Sequence, residues 1–150
     1  MLNLDHFLPY QLNVLASRVS NQLASVYAER FGLSVAEWRV MAHLAQNREV
    51  SVRDIQRRID MDKSRVSRAA AHLEETGLIK KRVNAQDRRL IKLALTPKGE
   101  RIFEQIVPLA LAYETELLGA LTRAEALSFR SMVGRLLGAT TPTGASDDGS

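Results

Sequence analysis

No cysteine occurs among the 150 residues, which removes disulfides, thiolate metal sites and thiol-based redox sensing from the chemistry open to this chain. Aromatic residues make up only 5%, with a single tryptophan, too few for a platform on which successive unpaired bases stack. No apolar run approaches the roughly 20 residues of a membrane span. The start, Met1-Leu-Asn-Leu-Asp-His6, lacks the charged and then apolar segments of a secretory signal. A cytoplasmic chain with no membrane partner is therefore expected. Enzymatic signatures are missing too: there is no Gly-x-Ser-x-Gly, no phosphate-binding glycine loop and no His-Glu-x-x-His. His6, His43 and His72 show no metal-ligand spacing. The chain reads as a non-enzyme, with no catalytic residue, metal ligand or cofactor to assign.

What is present is a localised excess of positive charge. The net charge is +4, but residues 51–100 hold 13 Lys/Arg against 7 Asp/Glu, and the other 100 residues hold 8 against 10. A basic block between slightly acidic ends is an electrostatic footprint of DNA binding. Hydrophobic content of 45% and charged content of 25% fit a globular domain with a real core.

Within that block, Ser51 can cap a short helix, with Asp54 placed to oppose its dipole and Ile55 and Ile59 on one apolar face. Asp60-Met61-Asp62 interrupts it, and Asp62 can cap a second helix from Lys63. Helix, tight turn and helix make a helix-turn-helix. At 100° per residue, Val66, Ala69, Ala70 and Leu73 of the second helix fall on one side and pack inward. Ser64, Arg68 and Ala71 lie opposite, flanked by Arg65, Ser67 and His72. Guanidinium groups, hydroxyls and a small residue suit the major groove: Arg can donate two bonds to guanine, and Ser can meet bases or phosphates. Gly77 is placed to end this helix in a left-handed cap. Residues 78–83 and 90–95 read as paired strands, with Asn84-Ala-Gln-Asp-Arg-Arg89 as the polar tip between them. Arg88 and Arg89 there have the character of basic arms that enter a narrow minor groove, Asp87 holding one of them in place.

Asp62-Lys-Ser-Arg-Val-Ser-Arg68, Leu73-Glu-Glu-Thr-Gly-Leu78, and Asp87-Arg-Arg89 followed by Leu95-Thr-Pro-Lys-Gly99 together resemble the MarR family of winged-helix transcriptional regulators. The resemblance runs from the first helix to about Gly138. It implies a homodimer, a recognition helix starting near Lys63, a wing tip centred on residues 87–89, and repression relieved by a small ligand. By matching position, Ser64, Arg65, Ser67 and Arg68 inherit groove or phosphate contacts and Arg88 the minor-groove role, with Arg89 pairing to Asp87. The run Ala69-Ala70-Ala71 departs from relatives that carry bulkier or polar residues there. The full set of expected DNA contacts is Ser51, Lys63, Ser64, Arg65, Ser67, Arg68, Lys81, Arg88 and Arg89, with Lys63 and Lys80 to Arg82 neutralising the backbone. Each has a plainer reading: Arg65 and Arg68 can pair with Asp62 or Glu74, and the serines can be ordinary helix-start hydroxyls.

Around this unit the expected architecture is mainly α with a small β-hairpin wing. The winged helix-turn-helix spans about residues 34–95. Dimerisation helices span about 7–31 and 97–137, completing a single domain over 1–137, and a polar tail, 138–150, is expected to be disordered. A long helix over 12–31 should stop at Gly32, and Ser34-Val-Ala-Glu37 is a capping box. The helix it opens should run to about Gln46 with Trp38, Met41, Ala42 and Ala45 on its apolar side. Thr96-Pro97 should open a helix kinked or broken at Pro108, and Thr122-Arg-Ala-Glu125 is a second capping box. The terminal helices carry more apolar surface than a small monomer covers, which suggests a two-fold dimer.

For the effector, the resemblance places a cleft between the dimer helices and the winged lobe. Arg18, Trp38, Arg39 and His43 are the candidates for an anionic aromatic ligand; Arg39 and His43 share a helix face. Trp38 as a core anchor and His43 as a hydrogen-bonded interface residue are the competing readings. Similarity of Leu8-Pro-Tyr-Gln-Leu-Asn-Val14 and Ala36-Glu-Trp-Arg39 to regulators of aromatic catabolism suggests a phenolic acid or its coenzyme A thioester. A metal-responsive regulator and a non-specific architectural DNA binder are the alternative functions.

Overall fold

The computed structural model describes residues 1–83, 86 and 91–141. The chain divides into two compact units, Met1–Leu111 and Ala112–Ser150.

In the first unit, a 3-10 turn, Leu4–His6, leads into α1, Leu8–Phe31. This helix starts four residues earlier than its apolar spacing indicated, because Pro9 sits in the first turn, where its missing N–H costs nothing. It stops at Gly32, whose left-handed backbone (φ 67°) lets its N–H reach Ala28 O at 2.9 Å. The capping box forms as expected: Glu37 N donates to Ser34 Oγ at 3.1 Å, and Ser34 N to Glu37 Oε1 at 3.4 Å. It opens α2, Val35–Asn47, whose buried apolar residues are Ala36, Val40, Met41 and Leu44. That stripe is rotated from the expected one. Met41 is common to both, but Ala45 is exposed and Trp38 only half-buried, because α2 turns its apolar side to α4 and β3.

Arg48 ends α2 with φ 52°, a rare region for a residue with a side chain. The chain then forms β1, Glu49–Ser51, which had no counterpart among the sequence expectations. Ser51 caps α3, Val52–Arg58, accepting from Asp54 N at 3.0 Å. Ile55 and Ile59 are buried on its inner side. Asp62 caps α4, Lys63–Glu75, whose buried residues are Val66, Ala69, Ala70 and Leu73, as the 100° spacing predicts. The C-terminus of α4 is closed by two bonds, Gly77 N to Glu74 O at 3.0 Å and Leu78 N to Leu73 O at 2.9 Å, with Gly77 at φ 78°. This is a Schellman motif, and a residue with a Cβ would strain it.

Strands β2, Ile79–Val83, and β3, Ile91–Leu95, pair antiparallel from Ile79↔Leu95 to Val83↔Ile91. β1 joins the other edge of β3, giving the order β1-β3-β2, with Val50 opposite Leu93. Thr96 ties the base of this hairpin to the end of α4: its Oγ1 donates to Gly77 O at 2.6 Å and its N to Leu78 O at 3.0 Å. It also caps α5, Pro97–Leu118, accepting from Gly99 N at 3.1 Å. Of the kink or break expected at Pro108, the break does not occur: α5 continues through it.

The second unit holds the last turns of α5 and α6, Arg123–Ala139. The Thr122 capping box is intact, and the hydrogen bonds that Glu125 makes with Thr122 hold its carboxyl below the usual range. Arg130 Nη2 donates to Glu114 Oε1 at 2.9 Å. Leu127, Phe129, Met132, Val133, Leu136 and Leu137 are all exposed, Leu137 to 68%. The expected tail lies outside the described residues from 142 on. Among the described residues, no helix is long and apolar enough to cross a membrane.

Candidate nucleic-acid interface

The outer face of α4 is positioned by its N-cap. Asp62 Oδ1 accepts from Arg65 N at 2.8 Å and from the Ser64 hydroxyl at 2.7 Å. The backbone bond from Arg65, then that from Ser64, then the nearby Arg65 and Arg68 charges hold the Asp62 carboxyl below the usual range. Lys63, Ser64, Arg65, Ser67, Arg68, Ala71 and His72 are all exposed. Among the described residues neither Arg65 nor Arg68 forms an ion pair. Both arginine charges act on Asp62, but among the described residues neither side chain closes to ion-pair distance of Asp62 or Glu74. The two serines differ. Ser64 gives its proton to Asp62, whereas Ser67 Oγ accepts from Gln56 Nε2 of α3 at 3.0 Å.

The remaining candidates fall in three settings. Ser51 is half-buried with its oxygen used as the α3 cap. Lys81, expected to neutralise the DNA backbone, is on β2 in an ion pair with Glu74 of α4, Nζ to Oε2 at 3.4 Å. Both side chains are more than 40% exposed, and such a pair contributes only about 0–1 kcal/mol, little to hold it against a phosphate. Arg82 bonds Glu49 at 3.0 Å, and Lys80 lines a different recess with Arg48, Glu100 and Glu104. Asp87, Arg88 and Arg89 lie outside the described residues.

His72, which the sequence placed at the flank of the exposed α4 face, has a specific partner. Its Nδ1 stands 3.0 Å from Glu37 Oε2, so the buried Glu37 serves the α2 cap with one oxygen and α4 with the other. The hydrogen bond with Glu37, and then its charge, raise the His72 pKa. A raised folded value means that the contribution is fully present below the unfolded pKa of about 6.5 and is lost as pH rises through the folded value. Thermal unfolding of wild type and His72→Gln should therefore differ most near about pH 6 and converge at higher pH. A difference independent of pH would remove the ion pair from the account.

The effector candidates occupy distinct environments. Trp38 stacks with Tyr27 and Phe103, with ring centroids 5.3 and 5.2 Å away, and so acts as a packing anchor. His43 is half-buried, and burial followed by the Arg58 charge lowers its pKa. It offers a neutral hydrogen-bonding ring rather than a cation. Arg39, half-buried one turn earlier, lies close enough to Tyr27 to act on it electrostatically. Arg18 lines a recess of about 370 Å³ with Asp5, Tyr10, Gln11, Val14 and Leu15, which holds none of the other three.

Gln56 with Ser67 and Glu37 with His72 are among the contacts that escaped sequence reasoning. They join residues 11 and 35 positions apart, and no local spacing signals either.

Comparison with known proteins places this geometry in context. The sequence profile described as MarR family matches residues 31–90. The HTH-type transcriptional repressor MdtR of Bacillus subtilis (strain 168) is 32% identical over 108 residues, covering 72% of this chain and 70% of that protein. A MarR/EmrR family transcriptional regulator from Acinetobacter sp. ADP1 has a similar structure, with TM-score 0.81, 28% identity, and coverage of 92% of this chain and 97% of that one. Bordetella bronchiseptica BpsR, whose DNA binding is regulated by 6-hydroxynicotinic acid, shares the fold at TM-score 0.80 and 20% identity, covering 91% and 96%.

Proposed function

The chain belongs to the MarR family of transcriptional regulators, and from that premise we propose that it is a homodimeric repressor, released from a near-palindromic operator by a small aromatic acid or its acyl-CoA ester. The observation that carries the DNA-reading part is the outer face of α4, with Arg65 and Arg68 exposed and free of ion pairs among the described residues. Arg68 and Arg65 read bases or clamp phosphates, the α4 N-terminus favours a phosphate beside Lys63, and Lys81 neutralises backbone. Ser51, Ser64 and Ser67 offer hydroxyl contacts, and the minor-groove role falls to Arg88.

The dimer is supported by apolar side chains left exposed at both ends. Leu2, Leu4, Leu8, Leu12 and Leu15 are open in the first unit, as are Leu127, Met132, Leu136 and Leu137 in the second. Covering such faces with a second copy gives a two-fold assembly whose recognition helices sit one DNA turn apart, about 34–36 Å. Repression is supported by the role of the Bacillus relative, and the aromatic acid by the 6-hydroxynicotinic acid that regulates BpsR.

Selection of bound duplexes from a random library, with light scattering on the free protein, tests this reading. A two-fold symmetric consensus with half-sites one turn apart and a dimer mass are expected. A monomer, or a library with no enriched sequence, would defeat it.

A further inference from the structure

Two serines on the DNA-facing side of α4 are held by different neighbours, with opposite consequences for what they can recognise. A serine hydroxyl has one proton to give and two lone pairs to receive with. At Ser64 the proton is given to the Asp62 carboxylate at 2.7 Å, leaving lone pairs towards the exterior. Asp62 is held ionised by the same cap that starts the helix, so the proton is not easily recovered. At Ser67 the traffic is reversed. Gln56 Nε2 donates to Ser67 Oγ at 3.0 Å, occupying a lone pair, and among the described residues no acceptor takes the Ser67 proton.

We propose that α4 reads its operator with a pair of serines of pre-set, opposite polarity, Ser67 as a donor and Ser64 as an acceptor, and that Gln56 is the positioning residue that sets Ser67. This rests on the DNA-reading function proposed above and deepens it. A donor at Ser67 favours guanine O6 or N7, adenine N7 or thymine O4; an acceptor at Ser64 favours the exocyclic amines of cytosine N4 or adenine N6. An acceptor also repels phosphate oxygens, so Ser64 is a base reader rather than a backbone contact. Three residues along a helix are about 4.5 Å, close to one base step of about 3.4 Å. The two preferences should therefore fall on neighbouring base pairs in each half-site. Gln56 reads no base in this scheme: it is half-buried on α3 and spends its amide on the serine it holds.

The decisive variant is Gln56→Glu. It keeps the side-chain shape but replaces the amide donor by a carboxylate, which would accept the Ser67 proton and turn Ser67 into an acceptor. Duplex selection with wild type and Gln56→Glu, followed by competition between single-base variants of the selected site, gives the readout as a ratio at each position. The added negative charge weakens all sequences alike and cancels in that ratio. At one base pair per half-site, preference should move from acceptor-bearing to amine-bearing bases, by about fivefold or more. Gln56→Ala and Ser67→Ala should each relax the same position without inverting it, and the double variant should relax it no further. Should Gln56→Glu lower the melting temperature, the two alanine variants carry the test alone. An unchanged base ratio at every position in all variants would overturn the polarity assignment while leaving the regulator intact. A wild-type protein that selects no sequence at all would overturn the reading beneath it.

Discussion

Replacing Arg68 by alanine is expected to weaken binding to the selected operator by about 1–3 kcal/mol, roughly 5- to 150-fold, while leaving random duplex far less affected. The difference follows from where the side chain stands. Arg68 is exposed on the outer face of α4, opposite the buried Val66, Ala69, Ala70 and Leu73, and truncating it strands no buried partner. Alanine is also the best helix former, so α4 itself should survive. The loss then reports what the guanidinium does to DNA. Lys81→Ala makes the contrast: its ammonium is already shared with Glu74 at 3.4 Å, and whatever it contributes should be lost equally on every sequence and shrink with salt. Fluorescence anisotropy at fixed ionic strength, with operator and scrambled duplexes side by side, measures both. Equal losses on the two duplexes for Arg68→Ala would remove it from base reading.

Gly99→Ala should be among the most destabilising single changes available, at about 3 kcal/mol or more, the upper end of what overpacking costs. Gly99 is buried in the first turn of α5. A Cβ there would collide with the carbonyl oxygen of Leu78 and approach Leu95 Cδ2 to 3.2 Å. The leucine side chain could give way, but the carbonyl could not. Leu78 N is bonded to Leu73 O, and Leu78 O accepts from Thr96 N, so its peptide is held from both sides. A melting temperature lower by about 10 °C is expected for a chain of this size. A variant that melts within a degree or two of wild type would mean that the α5 entry can shift away from the end of α4.

The parts of this fold legible in the sequence are those whose physics is local. Each helix cap written between a polar side chain and a backbone N–H three residues on is found in place: Ser34 with Glu37, Ser51 with Asp54, Asp62 with Arg65, Thr122 with Glu125. The inner face of α4 was legible for the same reason, since 100° per residue fixes it without reference to anything else. What could not be read depends on partners distant in sequence. β1 is three residues with one buried side chain, and exists because Val50 finds Leu93. Sequence left Trp38 between core anchor and ligand surface, and the anchor depends on Tyr27 and Phe103, which stack beside it. The Glu74 partner of Lys81 likewise comes from another element. Among the candidate contacts, α4 was legible as a face, but not the different hydrogen bonds that hold Ser64 and Ser67.

The closed base of the hairpin has an implication for how such a regulator can diverge. Val83 pairs with Ile91 at the far end of the strands, and Thr96 grips Gly77 and Leu78 at the near end. The strands on either side of the segment between Val83 and Ile91 are thus anchored by contacts of their own. Lengthening, shortening or recharging that segment should leave α4 where it is. On the DNA-reading function proposed above, descendants of this chain are free to change their hold on one groove of an operator while preserving the spelling they recognise in the other, so new binding sites can be explored in steps without an unfolded ancestor in between.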